Sequence, residues 1–335
     1  MKWLYKITVA IFIIIIAVSG AFTLHYFNEV NAVYEKDAAY AFGEDSRYHF
    51  SLILNSVDEV YWQDFKEGVI EAAKVYSAAI EVNQIFEPDR NSKTVELINI
   101  ANKSRVDGII VNGDNTAEYS DAIKSATESN IDVVVGVVES FDNDRLFYVG
   151  TNFSDYGEQA AKLIAQASGE APINLAVILS DQDSSMTSPS NLMMSGINKA
   201  IEGGQKIELV CTLYRNNALL GAEDITRNIL TEHPEVNVIF CTNAKDTVAA
   251  ARVIRERNLV GEVVIVGTDI TNEIIDFVER GVVFGVIDRN GYLAGYKSVE
   301  VLYKAGSTFQ TSYINIDTEI YTSINIDQKK LGQNQ

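Results

Sequence analysis

Residues Val106–Val138 read VDGIIVNGDNTAEYSDAIKSATESNIDVVVGVV. The stretch holds an apolar block at Val106–Asn112, a helix-spaced segment from Ala117 to Ser129, and a valine run from Val133 to Val138. Neither apolar block alternates with polar residues, so each predicts a strand that is covered on both faces. A strand of that kind, followed by a helix and another such strand, is the unit of a parallel sheet sandwiched between helix layers.

The same rhythm extends in both directions. Upstream lie a strand at Tyr48–Asn55, a helix over Tyr61–Tyr76, a strand at Ile80–Phe86 and a helix over Thr94–Ala101. Downstream it passes Leu146–Gly150 and restarts. The second array has strands at Asn174–Leu179, Ile207–Leu213, Val236–Cys241 and Val263–Gly267, with helices over 155–167, 192–201, 223–230, 245–257 and 274–280. Two βα arrays of similar length predict an α/β chain with two doubly wound parallel-sheet lobes. Ligands in such sheets bind outside the carboxyl ends of the strands, which places a site in the cleft between the lobes.

The N-terminal residues read differently. Ile7–Phe27 is an apolar run of the length that spans a bilayer as helix, with Lys2 and Lys6 before it and Glu29, Glu35, Asp37, Glu44 and Asp45 after it. That asymmetry predicts a single-pass anchor with its N-terminus in the cytoplasm and the globular part outside, at the cell membrane. A cleaved signal peptide ending near Ala17-Val18-Ser19-Gly20 is the competing reading. No Cys lies near the run to carry a lipid.

Composition excludes several classes. A net charge of −19 argues against nucleic acid, which needs clustered Lys and Arg. The three His share no metal-like spacing, and no cofactor motif is present. Cys211 and Cys241 sit in apolar strand contexts. In a 2-1-3-4-5 strand order those strands flank the first and do not touch, so both thiols are expected to be free.

Six stretches stand in order along the chain: Asn55-Ser-Val-Asp-Glu-Val-Tyr-Trp62, Val106-Asp-Gly-Ile-Ile-Val-Asn112, Val149-Gly-Thr-Asn152, His233–Asn243, Val264-Ile-Val-Gly-Thr-Asp269 and Gly285–Tyr292. Through them the chain, from about Tyr48 to Tyr321, resembles the type I periplasmic sugar-binding proteins, the group of ribose- and galactose-binding proteins. The resemblance implies two lobes joined by a three-crossing hinge. Lobe 1 would comprise residues 46–151 plus 290–322 and lobe 2 residues 152–289, with 1–27 as anchor, 28–45 as tether and 323–335 as a polar tail. The final strand near Tyr313–Tyr321 would pack on the first lobe.

The resemblance also implies a ligand set. Tyr61 and Trp62 match the family's aromatic pair, which stacks on sugar faces, and Glu59 matches a polar contact; the alternative for the aromatics is burial in the lobe. Asn243 and Asp269 match a strand-end amide and carboxylate, and each could instead be a turn or cap residue. Arg289 stands where the family often carries Gln, and Asn191 where ribose binders use Arg. The chain departs from the family at the fourth strand end, where an Asp-Arg pair is replaced by Gly136-Val-Val-Glu139. Only Glu139 supplies a polar group there, and Asp114 and Asn115 are expected to compensate.

The expected function is therefore capture of a monosaccharide and presentation of the closed form to a membrane partner, an ABC permease or a sensor histidine kinase. The alternative is a non-sugar ligand, a polyol or signalling molecule. Glu59, Glu139 and Asp269 could be imagined as a hydrolytic carboxylate pair, but carboxylates that accept sugar hydroxyls explain them equally, and no enzyme activity is expected.

Overall fold

Strand and helix alternate through two sheets of six strands in a computed structural model that describes residues 46–55, 59–86, 90–113, 116–136, 145–169, 171–180, 188–215, 221–305 and 313–327. The first array runs β1 Tyr48–Leu54, α1 Val60–Val75, β2 Ala78–Gln84, α2 Arg90–Ser104, β3 Gly108–Val111, α3 Ala117–Glu128, β4 Asp132–Val135 and β5 Leu146–Gly150. The second runs α4 Phe153–Ser168, β6 Ile173–Leu179, α5 Pro189–Glu202, β7 Ile207–Tyr214, α6 Ala222–Glu232, β8 Val238–Cys241, α7 Ala244–Glu256, β9 Val264–Thr268, α8 Asn272–Glu279 and β10 Val283–Asp288. The chain ends with α9 Gly291–Ala305, β11 Tyr313–Asn315 and β12 Glu319–Thr322.

The sheet orders are β11-β5-β4-β3-β1-β2 and β12-β10-β9-β8-β6-β7. Every pairing is parallel except β12 on β10. In each lobe the first strand lies between the second and third, the 2-1-3-4-5 order expected from the sequence.

The double-sided burial read from the valine runs has a direct structural cause. Ile110 and Val134 enter the core under α1 and α9, while Ile109 and Val133, one residue away, enter the core under α2 and α3. Adjacent strand residues point to opposite faces, so a strand covered on both sides must be apolar at every position. The second sheet repeats this, with Val177 under α4 and α5 and Ile178 under α6, α7 and α8. Each such side chain contributes roughly 1.5–3 kcal/mol relative to exposure.

Three crossings join the lobes: β5 to α4, β10 to α9, and β11 to β12. The third corrects the sequence reading. The expected final strand at Tyr313–Tyr321 is two strands. β11 pairs with β5 in the first sheet, and β12 pairs antiparallel with β10 in the second, Ile287 opposite Ile320. Residues 319–322, expected in lobe 1, thus belong to the second sheet. Tyr313–Tyr321 reads YINIDTEIY, with Tyr and Ile at both ends that suggest one strand, and the polar Asp317-Thr318 at its centre marks the passage between sheets.

Both cysteines are free, Cys241 buried on β8 and Cys211 half-buried on β7 at the sheet edge. Among the described residues no helix is long and apolar enough to cross a membrane. The expected anchor at 1–27 and tether at 28–45 lie outside those residues.

Candidate functional site

Parallel strands deliver their carboxyl ends to one edge of the sheet, and in the second lobe every parallel strand carries a polar residue there. Ser180 follows β6, Arg215 follows β7, Asn243 lies two residues past β8, Asp269 follows β9 and Arg289 follows β10. Facing them from the first lobe is the start of α1, with Glu59 at its N-cap and Tyr61 and Trp62 in its first turn.

Asp269 and Arg289 form the centre of this arrangement. Arg289 Nε donates to Asp269 Oδ1 at 3.0 Å and Nη2 donates to Oδ2 at 2.5 Å, a two-pronged, charge-assisted pair. The side chains are only 13% and 5% exposed. Burial works against the Arg289 charge, and the Asp269 carboxylate more than offsets it, holding the guanidinium above its ordinary pKa; Glu59 adds to that field. Asp269 sits in the left-handed region, φ 57°, with its N–H donating to Ile287 O at 2.9 Å. A non-glycine residue held there is a local strain of the kind that clusters at ligand sites.

The guanidinium crosses the cleft. Its Cζ lies 4.5 Å from the centroid of Tyr61, a cation–π contact between residues of opposite lobes. Tyr61 in turn meets Trp62 edge-on at 5.0 Å, and Trp62 meets Phe65 at 5.3 Å. Burial pushes the Tyr61 phenol up to about 12, with the Arg289 charge opposing. Val60 packs against the apolar core of the second lobe, so the first turn of α1 seats directly on the opposing lobe. Tyr61 and Trp62 are both buried in lobe 1, and the aromatic pair is therefore part of the core as well as of the cleft wall. Trp62 also lies against the end of β4, where a Cβ on Gly136 would come within 2.9 Å of its ring.

Asn243 has a different occupation. It is the N-cap of α7, its Oδ1 accepting from Asp246 N at 2.8 Å, while Nδ2 donates to Ser180 Oγ at 2.7 Å and to Asp246 Oδ2 at 2.5 Å. The cap reading of this residue is the one the structure displays. Glu59 caps α1 through its backbone only, with no side-chain cap bond, and its charge acts on Arg289. Asn191 lies in the first turn of α5, where its N–H donates to the cap residue Ser188. Asp114, Asn115 and Glu139 lie outside the described residues.

The sequence reading missed Ser180, Arg215 and Asp246. Asp246 is fully buried, and Arg215 Nε approaches its Oδ1 at 3.5 Å. Burial raises the Asp246 carboxyl above its usual range, opposed by Arg215. The available signals were the position of Arg215 directly after a strand and the three-residue spacing of Asp246 from its cap.

Comparison with known proteins gives one consistent picture. The model of a family described as periplasmic binding protein domain matches residues 50–308. The chain is similar to the D-allose-binding periplasmic protein of Escherichia coli, 21% identical over 265 residues, covering 76% of this chain and 84% of that one. Among solved structures it is similar to GanP, a glucose-galactose binding protein from Geobacillus stearothermophilus. That match has a TM-score of 0.73 and 25% identity, covering 83% of this chain and 98% of the other. It is also similar to a chain of the XylFII–LytSN complex, with a TM-score of 0.71 and 25% identity over the same shares.

Proposed function

We propose a function from one premise: the chain belongs to the periplasmic binding protein family, of type I, and on that basis it captures a monosaccharide in the interlobe cleft and presents the closed form to a membrane partner. The observation that carries this reading is the junction of Asp269 and Arg289 with Tyr61 across the cleft. A sugar needs directed hydrogen bonds for its hydroxyls and an aromatic wall for its apolar faces; the second lobe supplies the donors, and Trp62, beside Tyr61 in the first lobe, supplies the wall. Relatives whose names record D-allose and glucose-galactose binding support the ligand class.

Binding rather than catalysis is the natural use of these groups. Both oxygens of Asp269 are engaged by a guanidinium, which ill suits a carboxylate that must take up and release a proton. The ligand shifts the lobes toward closure by binding the closed form more tightly, and the partner reads that difference. The partner is an ABC permease or a sensor histidine kinase; a similar chain held in the XylFII–LytSN complex favours a stable protein partner. The apolar run Ile7–Phe27 anchors the chain at the cell membrane with the lobes outside. Retention in the membrane pellet after alkaline carbonate extraction tests the anchor, and release into the supernatant contradicts it.

The ligand is tested by thermal shift of the full chain against a panel of monosaccharides and polyols. A bound ligand raises the melting temperature with ln(1 + [L]/Kd). A shift with one pentose or hexose supports the reading, and a shift confined to polyols moves the ligand class.

A further inference from the structure

The bond pattern at the cleft divides Asp269 and Arg289 into unequal partners. Asp269 Oδ1 accepts from Arg289 Nε and, at 3.4 Å, from the Arg289 backbone N–H, while Oδ2 accepts from Nη2. A carboxylate offers about four lone-pair sites, and Arg289 alone occupies three of these in a side chain that is 5% exposed. Arg289 has the opposite balance. Two of its five N–H donors go to Asp269, and no other described residue accepts from the remaining three. Its plane is fixed twice, by the fork on Asp269 and by contact with the Tyr61 ring.

We infer that Asp269 is a positioning residue and that the free edge of the Arg289 guanidinium is what the second lobe presents to the ligand, an inference that rests on the sugar-binding reading above. An N–H edge selects for an acceptor, the ring or hydroxyl oxygen of a sugar. The Arg289 charge is already balanced by Asp269, and Glu59 and Asp288 lie close enough for their fields to reach this cluster. Among the described residues the cations at these strand ends, Arg289 and Arg215, already face carboxylates, Asp269 and Asp246, so a carboxylate or phosphate on the ligand would add unbalanced negative charge, and the ligand class is a neutral sugar. Because the guanidinium covers a face of Tyr61, stacking on the sugar falls to Trp62.

A double-mutant cycle tests this. Dissociation constants are measured by calorimetry on the full chain for wild type, Asp269→Asn, Arg289→Gln and the double variant, with D-allose, D-glucose, D-galactose and D-ribose as probes. If Asp269 acts through Arg289, Asp269→Asn weakens binding about ten-fold or more in wild type and about two-fold or less once Arg289 is gone. Equal losses in both backgrounds mean that Asp269 touches the sugar itself and overturn the inference. Arg289→Lys keeps the charge opposite Asp269 and removes the fork, so it weakens binding about ten-fold, and an unchanged Kd contradicts the assignment. Nitrogen-15 NMR of the arginine side chains supplies a readout without sugar. The Arg289 guanidinium shows hindered rotation in wild type and free rotation in Asp269→Asn, and free rotation in wild type overturns the pairing. A wild type that binds none of the four sugars overturns the sugar reading and this inference with it, whereas binding with additive losses overturns the inference alone.

Discussion

Gly157 of α4 and Gly196 of α5 approach so closely that a Cβ on Gly157 would lie 3.1 Å from the Cα of Gly196 and would overlap the carbonyl of Met193. The first lobe repeats the device with Gly68 of α1 and Gly295 of α9, where a Cβ would overlap the carbonyls of Tyr292 and Phe65 respectively. In each lobe the helix after the first strand packs on the helix that arrives from the other lobe. These backbone-to-backbone contacts fix the angle at which each crossing segment enters, and so fix where the strand ends meet across the cleft.

Gly196→Ala places a methyl group against the backbone of Ser154, which cannot rotate away as a side chain would. Overpacking of this kind destabilises by about 1–3 kcal/mol. Urea unfolding of the variant should show a lowered midpoint with an unchanged slope, and an unaltered midpoint would mean that the helices separate freely.

Arg215→Met strands the buried carboxylate of Asp246. Removing one partner of a buried pair costs about 3–5 kcal/mol, and the partial exposure of Arg215, 28%, places the loss near the lower end. The deficit is pH-dependent. Burial raises the folded-state pKa of Asp246 above its unfolded value, so its ionised form destabilises the fold, and protonation relieves this as pH falls. The stability difference between variant and wild type should therefore shrink from pH 7 toward pH 4, and a difference that grows on acidification would refute the assignment.

Alkaline pH acts through the buried phenols. The Tyr61 pKa is about 12 in the fold against an ordinary value near 10, and burial raises that of Tyr156 as well, its hydroxyl sharing a 2.5 Å hydrogen bond with Thr268 Oγ1. A raised folded pKa for an acid means that stability is fully present below about pH 10 and is lost as pH rises toward 12. Melting temperature should fall steeply above pH 10, and Tyr61→Phe should flatten that fall. An equally steep fall in the variant would show that Tyr61 does not contribute.

Trp62→Ala and Asp269→Ala should each weaken sugar binding ten-fold or more, at least about 1.4 kcal/mol. Trp62 also supplies an optical readout, because the chain has only one other tryptophan, Trp3. In a Trp3→Phe background, ligand should change the emission of Trp62; silence at saturating ligand would place the sugar away from α1.

How far the sequence reached depended on the kind of interaction. The strands were legible because a doubly covered strand must be apolar at each position, as at Ile109-Ile110 and Val133-Val134. Asp269, Arg289, Tyr61 and Trp62 were singled out by the family resemblance, and the fold brings them together because strand ends and a helix start meet at the cleft. Pairing was not. Nothing in the sequence says that Arg289 forks onto Asp269 while covering Tyr61, or that the amide of Asn243 is taken up by Ser180 and Asp246, since these contacts join residues that only tertiary packing brings together. The switch of β12 to the second sheet was hidden for a related reason: strand residues look alike whichever sheet they join.

The central claim is that a neutral monosaccharide binds between the lobes, and calorimetric titration of wild type and Trp62→Ala side by side tests it most directly. The account predicts one-to-one binding of at least one of D-allose, D-glucose, D-galactose and D-ribose to wild type, with a loss of ten-fold or more in the variant. Absence of binding by all four, or equal binding to both proteins, would contradict it.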